Sequence, residues 1–320
     1  MLSRVADSLY WMSRYLERAE HTARLMRVRL DTMTEDSEEA AEHSWLRLLG
    51  ALRVRPTAAG PVNPMELTRF LAFDRANRSC VAAAVMAARD NARQVREQIS
   101  SEMWEHINLF HLNLMGTGFS TVWAGTPSAF FRSLVEGLTM FQGMTATTMR
   151  HGEGYQFIQL GRFIERAQLV TRLLDMHFGK MPADAPAGIS APRYFDWISL
   201  LKQCTAFEAY CKVYTARIDP PRIAEFLIFD SEFPHSLRFS IDRVQEAMIV
   251  IGAGAPRLRR AASERLAGRL KARLEFGQID ELLSGNIDRF LHEVQEACSE
   301  IHHAVHDAFI AYGVEDAVPA

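Results

Sequence analysis

Arg14-Tyr15-Leu16-Glu17-Arg18-Ala19 sits inside an apolar series, Leu2, Val5, Leu9, Met12, Leu16, Ala19, Ala23, Met26 and Leu30, whose steps alternate between three and four residues. That spacing keeps one face of a helix apolar and predicts a single helix of about 30 residues. Tyr10, Trp11 and Tyr15 fall off the stripe. A helix with bulky residues all round is expected to be central and covered on several sides.

The phrase returns 148 positions later as Arg162-Phe163-Ile164-Glu165-Arg166-Ala167. It is again in phase with an apolar stripe: Phe157, Leu160, Ile164, Ala167, Thr171, Leu174 and Phe178. Arg24-Leu25 matches Arg172-Leu173 at the same offset. Trp45-Leu46-Arg47-Leu48-Leu49 matches Trp197-Ile198-Ser199-Leu200-Leu201 at offset 152. Asn63-Pro64 and Phe70-Leu71-Ala72-Phe73-Asp74 match Asp219-Pro220 and Phe226-Leu227-Ile228-Phe229-Asp230 at offset 156. Three blocks in one order, with the offset growing by four each time, predict two related halves. They are placed at 1–149 and 150–320 and packed as one unit about a pseudo-twofold.

Helix is the period that fits long stretches, so the expected class is an all-α bundle. Asn63-Pro64 and Asp219-Pro220 each set a capping side chain before a proline at the first helical position. Glu66 adds a capping-box partner. Asp74 and Asp230 are expected to cap the helices that follow them. Thr126-Pro127 opens a helix ending near Met149. A long helix is expected over 78–112, with Arg89, Arg93, Arg96 and Ser100 along one edge. Its counterpart over 236–250 lacks those arginines. Breaks are expected at 55–62, 115–125, 179–192 and 252–256, and fraying over 314–320.

Composition bounds the partners. The chain has 320 residues, is 48% hydrophobic and carries a formal charge of −3. Such a balance suits a globular protein and gives no field for nucleic acid. The sequence has no apolar run long enough to span a membrane and no signal-peptide layout at its start, so cytoplasm is the expected location. Cys80, Cys204, Cys211 and Cys298 form no Cys-x-x-Cys pair and read as packed thiols. Cys204 and Cys211, seven apart, would share one helical face.

The residues that can carry chemistry are chiefly arginines. Arg14 and Glu17 are three apart and can pair. Glu17, Arg18, Glu165 and Arg166 can pair across the pseudo-twofold and hold loop carbonyls. Alternatively Arg14, Arg18, Arg24, Arg162, Arg166 and Arg172 line a cleft for a carboxylate or phosphate, which the planar guanidinium suits. Catalysis by Glu17 or Glu165 is the third reading. Arg89, Arg93 and Arg96, with Glu97, Glu102 and Asn108, make either a solvated face or a wall for an anion or partner. His302, His303 and His306 lack a metalloprotease signature, and no metal or cofactor is expected. No nucleophile elbow or Walker pattern appears.

Leu9-Tyr10-Trp11-Met12 followed by Arg14-Tyr15 and Glu17-Arg18-Ala19 resembles the opening motif of the bacterial alpha-E family, an all-helical domain named for its Glu-Arg signature. Gly161-Arg162-Phe163-Ile164-Glu165-Arg166-Ala167 resembles its second signature. Ala88-Arg89-Asp90-Asn91-Ala92-Arg93-Gln94-Val95-Arg96-Glu97-Gln98-Ile99-Ser100, with Glu102, Trp104 and Asn108, resembles its middle stretch. The likeness spans essentially the whole chain and departs at Arg78-Ser79-Cys80, where the family more often shows Pro and Ser. It implies an association with circularly permuted ATP-grasp ligases and transglutaminase-like peptidases in systems that make or modify peptides. The expectation is a non-catalytic partner, or a component that binds a peptide or anion. The alternative is an enzyme acting on an amide or acyl-phosphate between the halves.

Overall fold

Leu9, Tyr10, Met12, Ala19, Ala23, Leu25 and Met26 are fully buried, and they point to every side of one helix. In the computed structural model this helix, α1, runs Ser3–Thr32 and is wrapped by neighbours along its length. The structure describes residues 1–33, 38–55, 62–179, 191–253, 257–284 and 287–310. The breaks expected at 55–62, 179–192 and 252–256 fall partly outside these residues, and the fraying expected over 314–320 lies wholly outside them.

After α1 come α2 (Glu38–Leu52), α3 (Pro64–Ala72) and α4 (Val81–Gln94). A 3-10 turn at Arg96–Gln98 leads to α5 (Ser101–Gly116), α6 (Phe119–Ala124), α7 (Pro127–Thr148) and α8 (Glu153–Phe178). Then follow α9 (Ala191–Gln203), α10 (Phe207–Tyr214), α11 (Pro220–Phe229), α12 (Leu237–Gly252), α13 (Arg257–Phe276), α14 (Ile279–Ser284) and α15 (Ile287–Val305), with a π-turn at His306–Ile310. No strand occurs among the described residues, so the class is all-α.

Helices α1 and α8 form the centre and run in the same direction. The N-terminal amine meets Glu153 at 3.0 Å. Farther along, Gly161 lies against Tyr10, and Glu165 against Arg14. A methyl group added at Gly161 would come within 2.3 Å of the Tyr10 carbonyl and of Ser13 Oγ, so only glycine permits this approach. Helices α4 and α7 cover α1, while α12 and α15 cover α8. The buried apolar side chains of all these elements form one contiguous cluster.

Several local expectations need correction. The helix expected over 78–112 is interrupted. Val95 leaves helical geometry, Ile99 is extended, and the Ser100 hydroxyl accepts from Met103 N at 3.2 Å, so a fresh helix starts. Asn63 caps α3 by accepting from Met65 N and Glu66 N. Asp219 occupies the matching position but makes no cap bond; its carboxylate turns to Arg222, 3.5 Å away. Asp74 and Asp230 do not cap the following helices. Asp74 accepts from Ala76 N, and Asp230 from Glu232 N and Phe233 N, so each closes the turn just after it. Cys80 Sγ and Ser236 Oγ take the capping role for α4 and α12. Cys204 and Cys211 lie on either side of the break between α9 and α10, where Thr205 has φ 52°, and do not share a helix. All four cysteines are free thiols.

Candidate functional site

The parallel pairing of α1 and α8 brings the two Glu-Arg phrases face to face. Glu165 accepts from Arg14 Nε and Arg18 Nε, both at 2.7 Å, one on each oxygen. Glu17 accepts from Arg166 Nε at 2.5 Å and Nη2 at 2.9 Å, while Arg162 Nε stands 3.5 Å away. Each phrase therefore supplies a carboxylate to the two arginines of the other. Glu17 and Glu165 are each 1% exposed, and Arg14 and Arg166 are nearly as deep. Arg18 and Arg162 reach further toward water.

Neighbours complete the lattice. Arg14 Nη2 donates to Gln168 Oε1, and Arg162 Nη2 to Gln142 Oε1. Arg166 Nη1 donates to the Pro234 carbonyl at 3.0 Å. Arg24 is held by both oxygens of Glu20, one turn earlier, and its Nε donates to the Gln203 carbonyl. Tyr10 Oη and Arg14 Nη1 both meet His302 Nδ1, at 2.8 and 3.0 Å, and the His302 ring stacks on Tyr10. So Arg14, Arg18, Arg162 and Arg166 converge on two carboxylates, and Arg24 serves a third. Arg172 forms no ion pair among the described residues, and its Nε, like that of Arg162, is buried without a hydrogen-bond partner there.

The electrostatics follow from this geometry. Burial alone would raise the Glu165 carboxyl, but Arg14 and Arg18 outweigh it and hold it at about 2. Glu17 is also lowered, because Arg166 and Arg162 outweigh its burial. Glu20 is raised by burial and by the charge of Glu17, against the pull of Arg24. Arg162 falls to about 10 through burial and the neighbouring Arg166. His21 and His235 are pushed well below the ordinary value by burial and by nearby arginines. His302 is lowered to about 4 by burial and Arg14.

Arg89, Arg93 and Arg96 lie elsewhere, on the α4–α5 edge. Arg89 Nε and Nη2 both donate to Asn108 Oδ1 at 3.1 Å. The guanidiniums of Arg89 and Arg96 sit 5.6 and 5.5 Å from the Trp104 ring. Arg93 is exposed. Leu109 and Leu112, farther along α5, are 59% and 56% exposed. Among the described residues, the bonds of Arg89 go to Asn108 and Asp90 and not to the Glu-Arg seam. Nor does any group of three or more His, Cys, Asp or Glu among them suit a metal ion. Sequence reasoning missed Gln142, Gln168 and His302 as partners; it expected arginines to hold loop carbonyls without saying which, and Arg166 holds that of Pro234. The Glu20–Arg24 pair was readable from its i,i+4 spacing.

A family model described as Alpha-E, a predicted alpha-helical domain with a conserved ER motif, matches residues 1–310. Uncharacterized proteins of Mycobacterium bovis and Mycobacterium tuberculosis are 24% identical to the chain over 327 residues. Those matches cover 95% of the chain but 36% of each relative, so it spans about a third of their length. No solved structure matches. No helix among the described residues is long and apolar enough to cross a membrane.

Proposed function

The chain belongs to the Alpha-E family, and from that premise we propose that it is a non-catalytic helical partner in a system built around an ATP-grasp peptide ligase. The observation that carries the non-catalytic part is the state of Glu17 and Glu165. Both are buried, and the oxygens of each are engaged by arginines of the other phrase. A general acid or base works best with its pKa near the operating pH and an oxygen free for substrate. With its carboxyl held at about 2, Glu165 meets neither condition. The length of the relatives supports the partner part, since a domain of this kind occurs there within a much longer chain. The edge of Arg89, Arg93, Arg96 and Trp104, with Leu109 and Leu112 beside it, offers the arginine, aromatic and apolar mix found where proteins dock.

We also infer that the two halves, 1–149 and 150–320, descend from one duplicated unit. The reciprocal pairing of the phrases supports this, as does the matching pair of covering helices on α1 and α8.

The test is titration of the protein with an ATP-grasp ligase encoded beside it. Binding on the order of micromolar, with a change in ligase rate, is expected, and Arg93→Glu or Leu109→Glu should weaken it. Turnover of a peptide amide by this protein alone, abolished in Glu17→Gln at unchanged melting temperature, would overturn the reading.

A further inference from the structure

Helix α7 carries two interior glycines, and the fold accounts for one of them. A methyl added at Gly137 would come within 2.6 Å of the Phe110 ring, so that glycine lets α5 pack close. At Gly143 an added methyl meets nothing within 4 Å. Glycine weakens a helix interior, and nothing within one copy of the chain uses the room it leaves here.

Gly143 lies on a face without cover. Glu136, Met140, Gly143, Thr147 and, just beyond the helix, Arg150 recur at steps of four, three, four and three, which sets them in one line along α7. All are exposed, Met140 at 57%. Val135, Thr139 and Met144 flank the line, and the hollow they border with it is open, mostly apolar and about 520 Å³ in volume. The charges fall at the two ends. Residues 137–149 carry none, while Glu136 closes one end and Arg150 the other. Neither forms an ion pair among the described residues.

We propose that this face of α7 docks the same face of a second copy of the chain, antiparallel about a twofold axis at Gly143. The charge order selects that occupant and that direction. With Gly143 opposite Gly143, Glu136 of each copy stands opposite Arg150 of the other, so two ion pairs close the ends of one uncharged seam. A parallel pairing would set Glu136 against Glu136 and Arg150 against Arg150, and like charges opposed across an interface are costly. One self-complementary patch serving both copies is the ordinary form of a twofold dimer. Glycine at the axis lets the two backbones approach, and the register sets Met140 of each copy against Ala146 and Thr147 of the other. The dimer does not rest on the ligase partnership, whose proposed edge is on α4 and α5.

Sedimentation equilibrium of the full chain over roughly 1–200 µM tests it. The parent should pass from monomer to dimer in that range. Glu136→Arg and Arg150→Glu should each weaken dimerisation by about tenfold or more. The double swap, Glu136→Arg with Arg150→Glu, should restore it. An equimolar mixture of the two single variants should form heterodimers, because both cross-pairs are then opposite in charge. Gly143→Lys, which brings two ammonium groups to the axis, should leave a monomer. These positions are exposed, so dilute protein should melt near the parent in every case. A chain monomeric throughout the range would overturn the proposal, and loss of ligase binding in Gly143→Lys would then assign the face to the ligase. A dimer indifferent to Gly143→Lys and to both reversals would overturn it by placing the interface elsewhere. Loss of the dimer in the single variants, without recovery in the double swap or the mixture, would overturn the antiparallel register and the proposal with it.

Discussion

Replacing Glu165 by Gln keeps the shape of the side chain and removes the charge that Arg14 and Arg18 share. Arg18 is 23% exposed at its side chain and can turn to water, but Arg14 at 6% cannot. Removing one partner of a buried ion pair costs about 3–5 kcal/mol, because the other charge is left uncompensated. The depressed carboxyl gives a second figure. The folded carboxyl sits at about 2 against an ordinary 4.5, which corresponds to roughly 3 kcal/mol at neutral pH. The two routes agree, and for a chain of this size they imply a melting temperature lower by roughly 5–15 °C. The assay is thermal and urea unfolding at pH 7 for the parent, Glu165→Gln, Arg14→Met and the double variant Arg14→Met with Glu165→Met. Each single variant should lose stability. The double variant should recover much of the loss, since a buried pair exchanged for apolar groups is often neutral. A Glu165→Gln protein melting within about a degree of the parent would refute the reasoning.

Other outcomes follow from particular side chains. Because the Glu165 pKa is depressed on folding, its stabilisation is complete above about 4.5 and disappears as pH falls from there through about 2. The buried histidines act in a higher window. His21 and His235 are lowered far below 6.5, and His177 and His302 to about 4, so below pH 6.5 the unfolded chain takes up protons that the folded chain refuses. Denaturation midpoints should therefore fall between pH 7 and 5, by up to about 1.4 kcal/mol per pH unit for each histidine; a flat profile there would show these rings to be hydrated. Gly161→Ala should destabilise by about 1–3 kcal/mol or more by prising α1 from α8, whereas Gly143→Ala, with nothing near its added methyl, should stabilise by roughly 0.5–1 kcal/mol. Asn63→Ala should cost about 1 kcal/mol and Asp219→Ala little, because only the first side chain caps its helix. Equal effects in urea titration would contradict that difference.

The helical class was legible because the stripe from Leu2 to Leu30 admits no other period, and the structure gives α1 as Ser3–Thr32. The central place of α1 was legible from Tyr10, Trp11 and Tyr15. The pairing of Glu17 with Arg166 and of Arg18 with Glu165 was one of three open readings; which one holds depends on whether α1 and α8 touch, and no local pattern fixes that. The break at Val95–Ser100 escaped because the apolar spacing of α4 continues into α5, while the interruption depends on one serine hydroxyl capping Met103. Asp74, Asp219 and Asp230 show the same limit. Aspartate caps, closes turns or pairs with arginine, and local sequence does not choose among these.

Direct contact between two same-direction helices nearly 150 positions apart bears on how the chain is made. At translation speeds of about 5–20 residues per second, α1 leaves the ribosome roughly 7–30 seconds before α8. Throughout that interval Glu17 has no Arg166 and Arg14 has no Glu165, and the groove along α1 stays open to solvent. Nascent first halves are therefore natural clients for chaperones, and a fragment ending before α8 should collapse loosely and exchange its amide protons freely.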